Sequence, residues 1–202
     1  MAKRVQYLDQ IVPHLQERYG DAQTDAIMRQ ARARYNELLE ENASEPKAYH
    51  MHTHERIYPA IATFEAMLGA GIERAEAADF LVNYYTWRAE STARMVKAAL
   101  KIPGVYKVMP KVFLKLTNMA FGPQAGFAAK EAVATKDEVR MDMVKCPYMD
   151  TCVRYGCPEI VRGFCDADDV CYGDMHPRLS WERTKTLGHG FDVCDFKIRV
   201  KR

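Results

Sequence analysis

The chain has 202 residues, 48% hydrophobic and 28% charged, with a net charge of +2. That length suits one domain, or one domain with a helical extension, and the composition is that of an ordinary soluble globular protein. So small a net charge argues against nucleic acid, whose phosphates call for a concentrated basic field, and no apolar run approaches the roughly 20 residues of a membrane span.

The N-terminus, MAKRVQYLDQIVPHL, starts basic but continues with Asp9, Gln10 and Pro13 in place of the apolar core of a secretory signal. The expected location is therefore cytoplasmic. Residues 4–19 read as a first helix, interrupted or started late by Pro13. From Asp25 to Glu41, Ile27, Ala31, Tyr35 and Leu38 recur at helical spacing, with Arg29, Arg32, Arg34 and Glu37 on the other side.

Asn42 to Lys47 forms a loop around Pro46. Next comes HMHTH, with His50, His52 and His54. Neutral imidazoles are good metal donors, so these three are candidate ligands, and His54 is a candidate substrate contact. A third helix carries Ile57, Ile61, Phe64 and Leu68 and stops at Gly69–Gly71. A longer one runs over Glu73–Ala99, until Pro103 and Gly104 break the chain.

Val105, Met109, Val112 and Leu116 form an apolar stripe flanked by Lys107, Lys111 and Lys115. Such a basic amphipathic helix suits an anionic membrane surface, although Pro110 would cost it a backbone bond in mid-helix. Residues 118–135 are Gly- and Ala-rich and mark a junction. The expected layout is a helical region over 1–120 and an α+β, Cys-rich region over 121–202, packed as one compact unit.

Beyond the junction the period changes. Val139, Met141 and Met143 alternate with Arg140 and Asp142 as in a strand. Pro147 opens a helical, cysteine-bearing segment that reaches about Val170. A strand after Pro177 puts Leu179, Trp181, Arg183, Lys185 and Leu187 on one face. After a turn at Gly188–Gly190, a last strand sets Cys194, Phe196, Ile198 and Val200 opposite Asp195, Lys197 and Arg199. The fold class is thus α+β: a helical N-terminal region packed with a small antiparallel sheet.

All six cysteines, Cys146, Cys152, Cys157, Cys165, Cys171 and Cys194, lie in the last third of the chain. In a reducing cytosol they read as ligands, nucleophiles or buried small hydrophobes, not disulfides. Their spacings do not fit a zinc ribbon or a ferredoxin. A mixed site for one transition metal, zinc or iron, could draw on Cys157, Cys165, His176 and Cys194; the other expectation is no cofactor. A cysteine nucleophile needs a lowered pKa, for which His176, His189 and Arg183 are the nearest candidates in sequence. Arg183 sits on an apolar face and needs a carboxylate, either internal (Asp166, Asp168 or Glu182) or a substrate's.

The ordered set CPY at 146–148, GCPE at 156–159, FCDADD at 164–169, HP at 176–177, ERTKTLGHG at 182–190 and CDF at 194–196 resembles the L-2-amino-thiazoline-4-carboxylic acid hydrolase family. It covers about the last 60 residues and is specific as a set. The resemblance implies a hydrolase that opens a cyclic amidine. Water adds at the ring carbon between nitrogen and sulfur, the carbon–sulfur bond breaks, and an N-carbamoyl-cysteine results. Carried over position by position, it points to Cys157, Cys165, Asp168, His176, Arg183, Thr184, Cys194 and Asp195.

From the chemistry, Cys165 or Cys194 attacks the amidine carbon or helps hold a metal, and Asp168 or His176 moves protons. Arg183, with Thr184 and His54 nearby in role, binds a small substrate bearing a carboxylate. The partners expected are that substrate and a second copy of the chain in a homo-oligomer, an oligomeric state that the sequence leaves open. Two competing functions are a non-catalytic small-molecule or metal-binding sensor, resembling vinyl-reductase-like ligand-binding domains, and an accessory subunit docked through helix 105–116.

Overall fold

The computed structural model describes residues 6–201, apart from the side chain of Glu131. A short helix α1 (Gln6–Gln10) leads into α2 (Val12–Glu41), with Pro13 in its first turn. Pro13 starts α2 because a proline in the first turn forfeits no helical hydrogen bond. The two helices expected at 4–19 and 25–41 therefore join. They meet at a kink where Gly20 has φ 74°, a backbone state that glycine enters without a Cβ clash.

The histidine segment is helical. His50–His52 form α3, Thr53–Ile57 a π turn, and Tyr58–Gly69 the helix α4. Nine of the twelve residues of α4 are buried, from Tyr58 to Met67, so it is the central helix. It packs along α2, while α5 (Arg74–Leu100) packs along α8 (Val161–Tyr172). Gly163 permits that second contact, since a Cβ there would stand 3.0 Å from the Val82 backbone.

Helix α6 spans Met109–Ala120, preceded by a 3-10 turn at Val105–Val108. Pro110 lies in its first turn, so it opens this helix instead of disrupting one, for the same reason as Pro13. No helix among the described residues is long and apolar enough to cross a membrane.

Four strands form one antiparallel sheet in the order β1 (Ala128–Ala134), β2 (Glu138–Lys145), β4 (Cys194–Val200), β3 (Leu179–Glu182). The Ala-rich junction thus hides an edge strand, β1, which composition concealed because alanine has little strand preference. Between β2 and β3 lie α7 (Pro147–Arg154) and α8. The single helix expected there is divided at Gly156, which has φ 68°, and Pro158.

Parity in β2 and β4 is as the sequence requires. Met143 faces Cys194 and Met141 faces Phe196 across the ladder, with Val139, Met141, Met143, Cys194 and Ile198 buried. The strand after Pro177 is shorter than expected, ending at Glu182. The Asp195 carboxylate accepts the backbone N–H groups of Thr184 (2.9 Å) and Lys185 (2.6 Å), drawing them away from strand pairing.

Candidate active site

Between the inner sheet face, α5, α6, α8 and the π turn lies a cavity of about 520 Å³. Its walls are largely aromatic, including Phe113, Phe127, Tyr148, Phe164, Trp181 and Phe196. Its ionisable lining comprises Asp168, Glu55, Arg183, Arg56 and Arg88, with the thiols of Cys146, Cys165, Cys171 and Cys194. This is the make-up of a small-molecule site. A wider depression of about 930 Å³ between α2 and α5 has no thiol, and its Arg18 and Glu76 pair with each other at 3.2 Å.

Asp168 projects from α8 into the cavity. Its side chain keeps 41% accessibility toward the cavity, and desolvation by the surrounding walls pushes its carboxyl up to about 7 despite the opposing pull of Arg183. Arg183 is only 2% exposed. It donates to Asp169 at 2.5 Å, to the Cys165 carbonyl at 2.8 Å and to Asp168 at 3.4 Å. Asp169 also accepts the Trp181 indole N–H at 2.7 Å. The internal carboxylate partners of Arg183 are thus Asp168 and Asp169, not Asp166 or Glu182.

Arg183 therefore fastens the start of the β3–β4 connection to α8. Arg183→Ala is expected to destabilise the fold by about 1–3 kcal/mol, because it removes three hydrogen bonds made by a buried guanidinium, two of them to charged carboxylates. The urea midpoint measures it, and an unchanged midpoint would release Arg183 from that structural role.

All six cysteines are free thiols. Burial pushes Cys146 and Cys165 up to about 12 and raises Cys194. Cys165 packs against Gly188, where a Cβ would fall 2.7 Å from its sulfur. Cys194 Sγ accepts the Leu187 N–H at 3.2 Å. These thiols are protonated at neutral pH, which is the opposite of an activated nucleophile. Cys157 lies instead beside Cys152, while Cys171, which also lines the cavity, donates to the Ala89 carbonyl at 3.6 Å.

Arg56, unnoticed in the sequence, enters the cavity from the π turn. Among the described residues no carboxylate lies within ion-pairing distance of it. Its orientation comes from a relay of hydrogen bonds. His52 is fully buried and its pKa is lowered by that burial, so the ring is neutral. Its Nε2 lies 2.7 Å from the Ala120 carbonyl, an acceptor only, and must therefore carry the proton. Its Nδ1 then accepts the Tyr148 hydroxyl at 3.0 Å, leaving that oxygen to accept from Arg56 at 3.2 Å. The signals in the sequence were Tyr148 in the CPY run and an arginine two residues after HTH.

Three expected site residues lie elsewhere. His176 stacks on Tyr106 at 4.8 Å and accepts the Arg178 N–H, outside the cavity lining. Thr184 donates to Asp195 at 2.6 Å, bracing the connection that precedes β4. His54 stacks on His50 at 3.8 Å and faces Glu45 at 3.7 Å. The proposed metal donors Cys157, Cys165, His176 and Cys194 do not assemble. Among the described residues the one group with three donor atoms close together is Glu45, His50 and His54, within 4.8 Å of one another. Helical geometry explains it: residues four apart share a face, while His52 turns inward.

No curated protein matches the chain. The family model described as L-2-amino-thiazoline-4-carboxylic acid hydrolase matches residues 49–198. That span contains most of the cavity, including the π turn with Arg56, α8 with Asp168, and the sheet that closes over them, and the chain belongs to this family.

Proposed function

We propose that this chain is a hydrolase that opens a small heterocyclic amidine, of the L-2-amino-thiazoline-4-carboxylic acid kind, to an N-carbamoyl-cysteine-type product. One observation carries the reading: a cavity lined both by Asp168, whose carboxyl is pushed up to about 7, and by Arg56, a guanidinium with no carboxylate within ion-pairing distance among the described residues. A group that titrates near 7 can both take and return a proton under ordinary conditions. An unpaired arginine is suited to a substrate carboxylate.

In the proposed reaction Asp168 accepts a proton from water as its oxygen bonds to the ring carbon between nitrogen and sulfur, and returns that proton to the ring nitrogen. The remaining hydroxyl proton passes by the same carboxyl to sulfur as the carbon–sulfur bond breaks and the carbonyl forms. Both hydrogens of water are thereby placed, one on nitrogen and one on sulfur. Water is preferred to Cys165 or Cys194 as the attacking group, because either thiol would have to ionise against its burial. Arg183 positions Asp168 through α8, and His176 has no place in the scheme.

The test is incubation of the purified chain with L-2-amino-thiazoline-4-carboxylic acid, with the product followed by mass. Expected is a product heavier than the substrate by one water and carrying a free thiol. Binding without turnover would instead favour the sensor reading, in which the same cavity holds a ligand and performs no chemistry.

A further inference from the structure

Charge is unevenly spread along this nearly neutral chain. From Ser91 to Lys130 there is no Asp or Glu in forty residues, but there are seven Lys and Arg. The net charge of +2 is therefore +7 in this stretch and −5 in the rest. Arg94 pairs with Glu90 and Lys97 with Asp174. Lys101, Lys107, Lys111 and Lys115 are exposed and have no carboxylate partner among the described residues.

The same stretch carries six of the eleven exposed large hydrophobic side chains: Met95, Ile102, Val108, Val112, Leu116 and Met119. On α6 the inner side is buried through Pro110 and Phe113. The outer side presents Val112, Leu116 and Met119 one helical turn apart, Leu116 being 57% and Met119 66% exposed. Lys111 and Lys115 flank them.

We propose that this face, the outer side of α6, docks in the plane of an anionic lipid surface. Apolar side chains enter the headgroup boundary while lysine stems bury along it and hold their charges at the phosphates. A second copy of the chain is a poor occupant, because a two-fold contact would set this basic face against itself. The inference does not depend on the hydrolase reading. It does place the wall of the cavity against the bilayer, since Phe113 and Thr117 line the cavity from the same helix.

The experiment is flotation of the full chain with vesicles of phosphatidylcholine alone and of phosphatidylcholine with phosphatidylserine. Binding is expected only to the anionic vesicles, and weakening as salt screens the lysines. The pair Lys111→Glu and Lys115→Glu should weaken binding by about tenfold or more. The pair Val112→Ser and Leu116→Ser should do the same, and in both variants the circular dichroism and Tm should be retained because the side chains are exposed. No flotation with anionic vesicles at low salt would overturn the proposal. So would equal binding to neutral vesicles, or wild-type binding by both double variants. Ring-opening activity is scored separately in vesicle-free solution, so failure of either idea is recognisable by itself.

Discussion

Asp168→Asn is expected to lower kcat for ring opening by about two to four orders of magnitude, the usual share of a positioned acid–base group. Asn keeps an oxygen that can accept from Arg183, so the fold should survive, and KM should change little. The wild-type kcat/KM should rise through pH about 7, where the carboxyl ionises, and the variant should lack that rise. A fall of less than about fivefold, with the pH profile intact, would remove Asp168 from the chemistry.

Stability gives an independent readout of the same residue. The folded protein holds the Asp168 proton more tightly than the unfolded chain, with a pKa of about 7 against 3.8. The associated stabilisation is complete below the unfolded value and is lost as pH rises through the folded one. Urea midpoints at about pH 5 and about pH 8 should differ less in Asp168→Asn than in the wild type.

Arg56→Met is the second large effect. A charge-assisted bidentate contact to a carboxylate is worth about 1.5–3 kcal/mol, so KM should rise about 10- to 100-fold, with kcat much less affected. Among the described residues Arg56 has no carboxylate within ion-pairing distance, so its removal breaks no ion pair, in contrast to Arg183, which pairs with Asp168 and Asp169. Tyr148→Phe should reproduce part of the KM effect by freeing Arg56 from its relay, and Arg56→Lys should rescue it only partly, since an ammonium lacks the planar fork. An unchanged KM in Arg56→Met, measured with a carboxylate-bearing substrate, would refute the assignment.

What the sequence read correctly rests on periodicity and local motifs. Alternation placed Cys194 and Phe196 on the inner face of β4, because strand parity leaves only two choices. The helical stripes of α4 and α5 were legible for the same reason, and so was the late cluster of motifs shared with the hydrolase family. The prolines misled at Pro110, where only the helix start distinguishes a breaker from an opener.

Distance across the chain was decided by tertiary structure alone. The family resemblance joined His176, Thr184 and Cys157 to the site, yet each makes its contacts elsewhere. Arg56 comes to the cavity from more than a hundred residues before Asp168, through a π turn that no composition announces. The sequence determined which chemical groups were present and which faces they took. Only the packing of α8 and the π turn around one cavity decided which were desolvated, and desolvation sets whether a carboxyl or a thiol can exchange its proton near neutrality.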